Sequence, residues 1–370
     1  MRGAPALAAV LACVCLLAGC GRRSFEARMA TRAEETAVAL FLIGDAGSPA
    51  PGGEPVLKAL RAELSAGTEK KFVVFLGDNI YPAGMPDSTA PTRAGAEWII
   101  ERQMDVLRGT GVHGVFIPGN HDWAAGRADG WRAVVREGRF VDRNGGGLVE
   151  FLPRGGCPGP AVRDVGPVLR LIFLDTQWWL QEEGPKPVGD TARCAASTPS
   201  GVVAGIAAAL RGAAGRSTVV VGHHPAISGG EHGGHFGWQA YLFPPYPLAR
   251  RLGLFAPQDV NGPAYRRLRD ALRRAFAPYP PDVYAAGHDH DLQVLHGPVA
   301  RYAVVSGGGI YGHWTPVRMI SSSLYARKAS GFVRLDIRRD GWARLSVQVV
   351  DSTGTAHEDY SFWIRPNTTT

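Results

Sequence analysis

Short apolar runs, several of them rich in Val, Ile or Phe, recur along the chain and stop abruptly at Gly, Asp, Asn or His: residues 37–43, 72–76, 112–117, 168–174, 218–221 and 283–286. Continuous apolar runs of this length, bounded by turn-forming residues, predict strands buried on both faces. Between most of them lie stretches of helical spacing. The clearest covers 263–276, where Tyr265, Leu268, Leu272 and Phe276 share one face and Arg266, Arg267, Arg269, Arg273 and Arg274 lie largely elsewhere. It reads as an amphipathic helix with a solvated arginine face. Strand followed by helix, repeated, predicts an α/β domain whose site sits at the carboxyl ends of the strands. From Tyr302 onward the pattern changes to alternation over 331–337 and 343–350, joined through Arg338-Arg339-Asp340-Gly341, where Asp-Gly is a hairpin signal. These strands are expected to form a second, more antiparallel sheet that closes a sandwich. No internal repeat or low-complexity linker follows residue 36. One domain over 37–366 is therefore expected, with Gly-, Pro- and aromatic-rich loops at 140–165, 177–200 and 228–262.

Composition adds a bound: 45% of the 370 residues are hydrophobic and 20% charged, enough for a sizeable core and too little charge for general disorder. The net charge is +7, but the arginines are scattered and never form the run of like charges that marks a nucleic-acid arm. No nucleic-acid-binding surface is expected. At the start, Arg2 precedes an uncharged stretch from Gly3 to Gly19 that is too short to span a membrane and ends in Leu17-Ala18-Gly19-Cys20. It resembles a bacterial lipoprotein signal with its lipobox. The resemblance implies a signal over 1–19, lipid on Cys20 and a polar tether over 20–36; an ordinary secretory signal that happens to end in Cys is the alternative. Either predicts export to the cell envelope, the first with a lipid anchor in a membrane, the outer one favoured, facing the periplasm or the outside. With Cys13 and Cys15 removed and Cys20 lipidated, Cys157 and Cys194 remain. Both sit in loop-like sequence in an oxidising compartment, so a disulfide is expected, with two free buried thiols as the alternative.

The polar punctuation after the apolar runs carries the chemistry. Read in order it is Gly44-Asp45-Ala46-Gly47, Gly77-Asp78-Asn79-Ile80-Tyr81, Gly119-Asn120-His121-Asp122, Gly222-His223-His224-Pro225 and Gly287-His288-Asp289-His290. Each block alone is weak, because Gly-Asp at a strand end is usually a turn and a lone His usually a satisfied polar residue. Together they supply the carboxylate, phenolate, amide and imidazole donors that suit two adjacent cations. The five blocks resemble the calcineurin-like metallophosphoesterases, and in detail the purple acid phosphatases, because the first block is Gly-Asp-x-Gly and Tyr81 stands three residues after Asp78. Leu174-Asp175-Thr176, Glu231-His232-Gly233, Leu292-Gln293 and Val305-Ser306-Gly307 extend the likeness over approximately 37–365.

That resemblance implies a four-layer α-β-β-α sandwich of two mixed β-sheets flanked by helices. It implies a ferric ion on Asp45, Tyr81 and His290, a divalent ion (Fe, Zn or Mn) on Asn120, His223 and His288, and Asp78 bridging the two. A hydroxide acidified by both cations would attack the phosphorus of a small phosphomonoester. His121 and His232 match the family's histidines that contact substrate and assist the leaving group. His224 stands where the family usually has Tyr; it is a third candidate for proton transfer, with packing or support as the other reading. Asp122 and Asp289 are expected to orient neighbouring groups, and His235 to be a surface loop histidine. The same cage serves diesterases, nucleotidases and pyrophosphatases, and the fold could also persist as a non-catalytic surface lipoprotein. A monomer is expected.

Overall fold

The computed structural model describes residues 36–182, 184–188, 193–236, 248 and 258–366. The expected signal, Cys20 and the tether up to residue 35 lie outside them. Fourteen strands are described: β1 (Thr36–Ile43), β2 (Lys70–Phe75), β3 (His113–Phe116), β4 (Val149–Phe151), β5 (Ala161–Val165), β6 (Leu169–Phe173), β7 (Ser217–Val221), β8 (Val283–Ala286), β9 (Leu292–His296), β10 (Tyr302–Ser306), β11 (Ser323–Arg327), β12 (Gly331–Arg338), β13 (Ala343–Val350) and β14 (Ala356–Ile364). They build two seven-stranded sheets, one in the order β14-β13-β12-β1-β2-β3-β4 and the other β11-β9-β10-β8-β7-β6-β5. In the first, β1 to β4 run parallel and β12 joins β1 antiparallel. In the second, β6, β7, β8 and β10 run parallel, β5 pairs antiparallel with β6, and β9 pairs antiparallel with both β10 and β11.

The strands read as continuously apolar because both of their faces are covered. Along β1, Val38, Leu40 and Leu42 point into the space between the sheets, where Val219, Val221, Val294 and Leu335 meet them. The alternate residues Ala39, Phe41 and Ile43 face helices α1 (Pro55–Ser65), α2 (Arg93–Met104) and α3 (Gly130–Asn144) through Leu60, Ile100 and Val141. After the four-residue α4 (Gln177–Leu180), helices α5 (Pro199–Arg211) and α6 (Pro263–Phe276) cover the other sheet, Ile206 and Leu272 packing on Ile172, Val220 and Tyr284. The result is the expected four-layer α-β-β-α sandwich. Proline at the first turn starts α1, α5 and α6, and the Thr198 hydroxyl accepts from Gly201 N at 3.2 Å to cap α5. The arginine face of α6 is solvated, with Arg266, Arg267, Arg273 and Arg274 exposed.

Two expectations need correction. The C-terminal strands do not make a second sheet: β12 pairs with β1, so β12 to β14 extend the first sheet, and the second is built from β5 to β11. Residues 140–165 are not one loop either, since α3 runs to Asn144 and β4 and β5 lie within that span. Cys157 and Cys194 form the expected disulfide, with Cα atoms 5.6 Å apart. Among the described residues no helix is long and apolar enough to cross a membrane.

Candidate metal centre

Each chemistry-bearing block leaves the carboxyl end of a strand: Asp45 after β1, Asp78 and Tyr81 after β2, Asn120 and His121 after β3, His223 and His224 after β7, and His288 and His290 after β8. The sheets meet there, with Gly44 N donating to Ser306 O at 2.7 Å. Room for the meeting is made by glycine. A Cβ on Gly77, whose φ is +90°, would lie 2.7 Å from Gly119 N and from His223 Nδ1, and one on Gly119 would lie 2.3 Å from Asp78 Oδ1. Asp45, Asp78 and His288 themselves adopt φ of 60°, 54° and 72°. This left-handed backbone costs energy outside glycine and clusters at functional sites.

The donor atoms fall into two groups. Tyr81 Oη lies 3.1 Å from Asp45 Oδ1 and 3.0 Å from His290 Nε2, and the latter is 3.5 Å from Asp45 Oδ1. Asn120 Oδ1 lies 3.0 Å from both His223 Nε2 and His288 Nδ1. Asp78 Oδ2 stands between the groups, 3.2 Å from Tyr81 Oη and 3.3 Å from His223 Nε2. Oxygen and nitrogen donors arranged around one ion at bonds of about 2 Å are themselves separated by about 3 Å, so these spacings fit the donor set of two cations sharing a carboxylate. Asp45, Asp78 and His223 offer atoms within 4.8 Å of one another, as do His223, His224 and His288.

Other contacts aim these groups. His223 Nδ1 faces Leu76 O at 2.8 Å, which leaves Nε2 for the centre, and His288 Nε2 faces Gln258 O at 3.1 Å, which leaves Nδ1. Asp122 accepts from Asn79 N at 2.9 Å, Ile80 N at 3.1 Å and Gly119 N at 2.7 Å, and so shapes the loop that carries Asp78. Asp289 accepts from His232 N at 3.0 Å and from the Ser228 hydroxyl. The expected orienting roles of Asp122 and Asp289 match these contacts.

Among the three candidate catalytic histidines the environments differ. His121 and His232 have side chains 30% and 27% exposed. His224 is fully buried, its Nδ1 2.8 Å from the Thr176 hydroxyl and its Nε2 2.8 Å from Gln258 Oε1. Both ring nitrogens are thus engaged by these partners, and the ring offers an atom within 4.8 Å of those of His223 and His288. His235 is half-buried. Sequence reasoning missed Gln258, Asp259 and His313, because no motif contains them; His313 packs its ring 4.5 Å from that of His290.

Electrostatics mark the spot as one that attracts positive charge. Burial opposes a charged His223, but the Asp78 carboxylate beside it wins and pushes it up to about 9. Burial likewise works to raise Asp78, yet His223 and His121 hold it below the usual carboxylate range. Tyr81 is pushed well up by burial and by Asp45 and Asp78, so its phenol stays protonated until a cation offsets the carboxylates. His224 and His288 are held well below the usual imidazole range, first by burial and then by neighbouring histidines.

A four-layer sandwich that brings carboxylates, imidazoles and a phenol to one edge of both sheets defines a class of metal-dependent hydrolases. Within that class the chain belongs to the calcineurin-like phosphoesterases, whose family profile matches residues 39–292. No curated protein sequence matches it significantly. Among solved structures, GAP50, described as the anchor in the inner membrane complex of Plasmodium, superposes with a TM-score of 0.55 at 16% identity, over 90% of this chain and 89% of that one. The purple acid phosphatase PPD1 from yellow lupin seeds superposes with a TM-score of 0.55 at 14% identity, over 88% of this chain and 53% of its own. This chain thus spans about half the length of the lupin protein, and at these identities both likenesses bear on the fold.

Proposed function

We propose that the chain is an acid phosphatase acting on small phosphomonoesters, with Fe(III) on Asp45, Tyr81 and His290, a divalent Fe, Zn or Mn ion on Asn120, His223 and His288, and Asp78 shared between them. The observation that carries this reading is the position of Asp78 Oδ2, within 3.3 Å of donor atoms of both groups. Two such cations supply Lewis acidity that makes a nucleophile from water at low pH and offsets the charge of the phosphate.

The chain's own residues do the rest. The Pro82 carbonyl, 2.7 Å from His121 Nδ1, leaves His121 Nε2 to the cleft; Asp259, 3.0 Å from His232 Nδ1, does the same for His232. From these positions the two imidazoles hold the phosphate oxygens and deliver a proton to the departing alkoxide. His224, enclosed by Thr176 and Gln258, supports the ring of its neighbour His223. A single catalytic domain over 37–366 and the export reading, with lipid on Cys20 and a tether up to residue 36, belong to the same proposal. Release of the anchor from membranes by Cys20→Ser tests the export part.

The GAP50 likeness raises a binding role on the same fold. Retention of all seven donors in one constellation favours hydrolysis, since a binding protein has no need of them. The deciding experiment is the visible spectrum, metal content and phosphomonoesterase rate of the purified oxidised protein. Iron, a visible charge-transfer band that Tyr81→Phe abolishes, and acid-side activity are expected. A colourless active protein containing Mn or Zn would remove the ferric-tyrosinate assignment, and a protein that binds no metal would remove the enzyme.

A further inference from the structure

The stretch that leads into α6 holds three of the site's histidines with two consecutive residues. Gln258 meets His288 Nε2 with its backbone carbonyl at 3.1 Å and His224 Nε2 with its side-chain oxygen at 2.8 Å. Asp259, only 2% exposed, sets Oδ1 3.0 Å from His232 Nδ1. The main chain adds a second grip, because Val260 N donates to His232 O at 2.9 Å while His232 N donates to Asp289 at 3.0 Å. Gly262 N, at the start of α6, donates to the Asp259 backbone carbonyl at 2.7 Å, so the main chain that carries this carboxylate is tied to a helix packed on the second sheet. None of the five metal-binding blocks contains Gln258 or Asp259.

We propose that Asp259 is a positioning residue that acts through His232, fixing the proton on Nδ1 and aiming Nε2 at the leaving-group oxygen of the bound ester. A carboxylate accepts but cannot donate when ionised, so the nitrogen facing it carries hydrogen and the other is left for substrate. With His232 charged, a water oxygen bonds to phosphorus as the ester P–O bond breaks. The electron pair of that bond stays on the departing oxygen, which takes the Nε2 proton; the new phosphate sheds one of the water's protons to solvent, and the neutral imidazole takes one back from it. An ester whose alkoxide leaves poorly needs that proton; a nitrophenolate does not. This inference rests on the phosphatase reading above.

The test is a double-mutant cycle of Asp259→Asn and His232→Ala in the metal-loaded protein, with an alkyl phosphate and nitrophenyl phosphate as paired substrates. Asp259→Asn keeps the volume and is expected to lower the ratio of alkyl to nitrophenyl rates by about 10- to 100-fold. In the His232→Ala background the same change should move that ratio by less than about 2-fold, because the two residues act as one unit. Equal losses on both substrates, or losses that multiply in the double variant, overturn the proposal. A second readout needs no turnover: proton NMR of the metal-free protein with labelled histidine should show a downfield imidazole N–H that His232→Ala abolishes and that Asp259→Asn, whose amide oxygen is an uncharged and weaker acceptor, moves upfield. An unchanged shift in Asp259→Asn overturns the pairing. Inactivity of the wild-type holoenzyme on every ester would instead overturn the phosphatase reading, and the NMR result would still decide the pairing.

Discussion

Single residues carry opposite electrostatic assignments in this site, and burial, common to both, does not tell them apart. Asp78 and Asp175 are both fully buried, yet Asp78 is held ionised by His223 while Asp175 is pushed up to about 8, burial outweighing the hydrogen bonds it accepts from Trp123 Nε1 at 2.9 Å and Trp178 N at 3.1 Å. Asp175 therefore binds a proton in the folded protein that the unfolded chain, with a carboxyl near pKa 4, releases. A raised folded value means stability that is complete below about 4 and is lost as pH rises through about 8. Thermal melts of Asp175→Asn should lose part of the wild-type decline across that window, and an unchanged slope would show that Asp175 is not neutral. Asp78→Ala removes an oxygen that lies within 3.3 Å of donor atoms of both groups and is expected to abolish activity and lower metal content at both sites. Full occupancy of both in that variant would contradict a bridging role. At this scale the sequence was informative where a residue follows a strand: the five blocks place all seven donors within one constellation. It was silent on Gln258 and Asp259, which reach the site from a segment with no strand periodicity and no motif.

At the scale of elements, legibility followed the number of covered faces. β1, β2, β7 and β8 are apolar on both faces and stand out as runs, and α6 shows its amphipathic spacing from Pro263 to Phe276. β14 is half-exposed over much of its length, β5 has one buried residue among its five, and β4 is three residues long; none of these signals exceeds that of a loop. The misplaced C-terminal strands have a different cause, since alternation shows that a strand pairs but not with which partner, and the contact of β12 with β1 spans almost the whole chain. The disulfide closes a separation of 37 residues between the end of the first sheet and the start of α5. A loop of that length gives about 3–4 kcal/mol in the chain-entropy account. Cys157→Ser should accordingly lower the melting temperature by several degrees while leaving the donor residues in place. A variant that melts like wild type would mean that the packing of α5 already orders this segment.

The whole molecule turns on the division of the donors. Asp45, Asp78, Tyr81 and Asn120 belong to the first sheet and His223, His288 and His290 to the second. His288 N donates to Asp45 Oδ2 at 2.9 Å across the junction, and His223 reaches Leu76 O in the other sheet at 2.8 Å. Cations held there would cross-link the two halves of the sandwich at the end where the helices do not cover it. Chelation should therefore lower the melting temperature, by an amount equivalent to about 2.7 kcal/mol when the free ion had stood at about 100 times its dissociation constant. The loss also has a pH sign. Without ions, the buried carboxylates draw compensation from a protonated His223, whose value of about 9 keeps that charge in place at neutral pH and surrenders it as pH rises through 9. With ions, the competing proton must leave, so binding strengthens as pH rises. Both effects run in the same direction, and the gap between loaded and chelated melting temperatures should widen from acid to alkaline pH. A gap that stays constant or narrows while metal analysis shows full loading and full removal would mean that His223 does not share Asp78 with a cation.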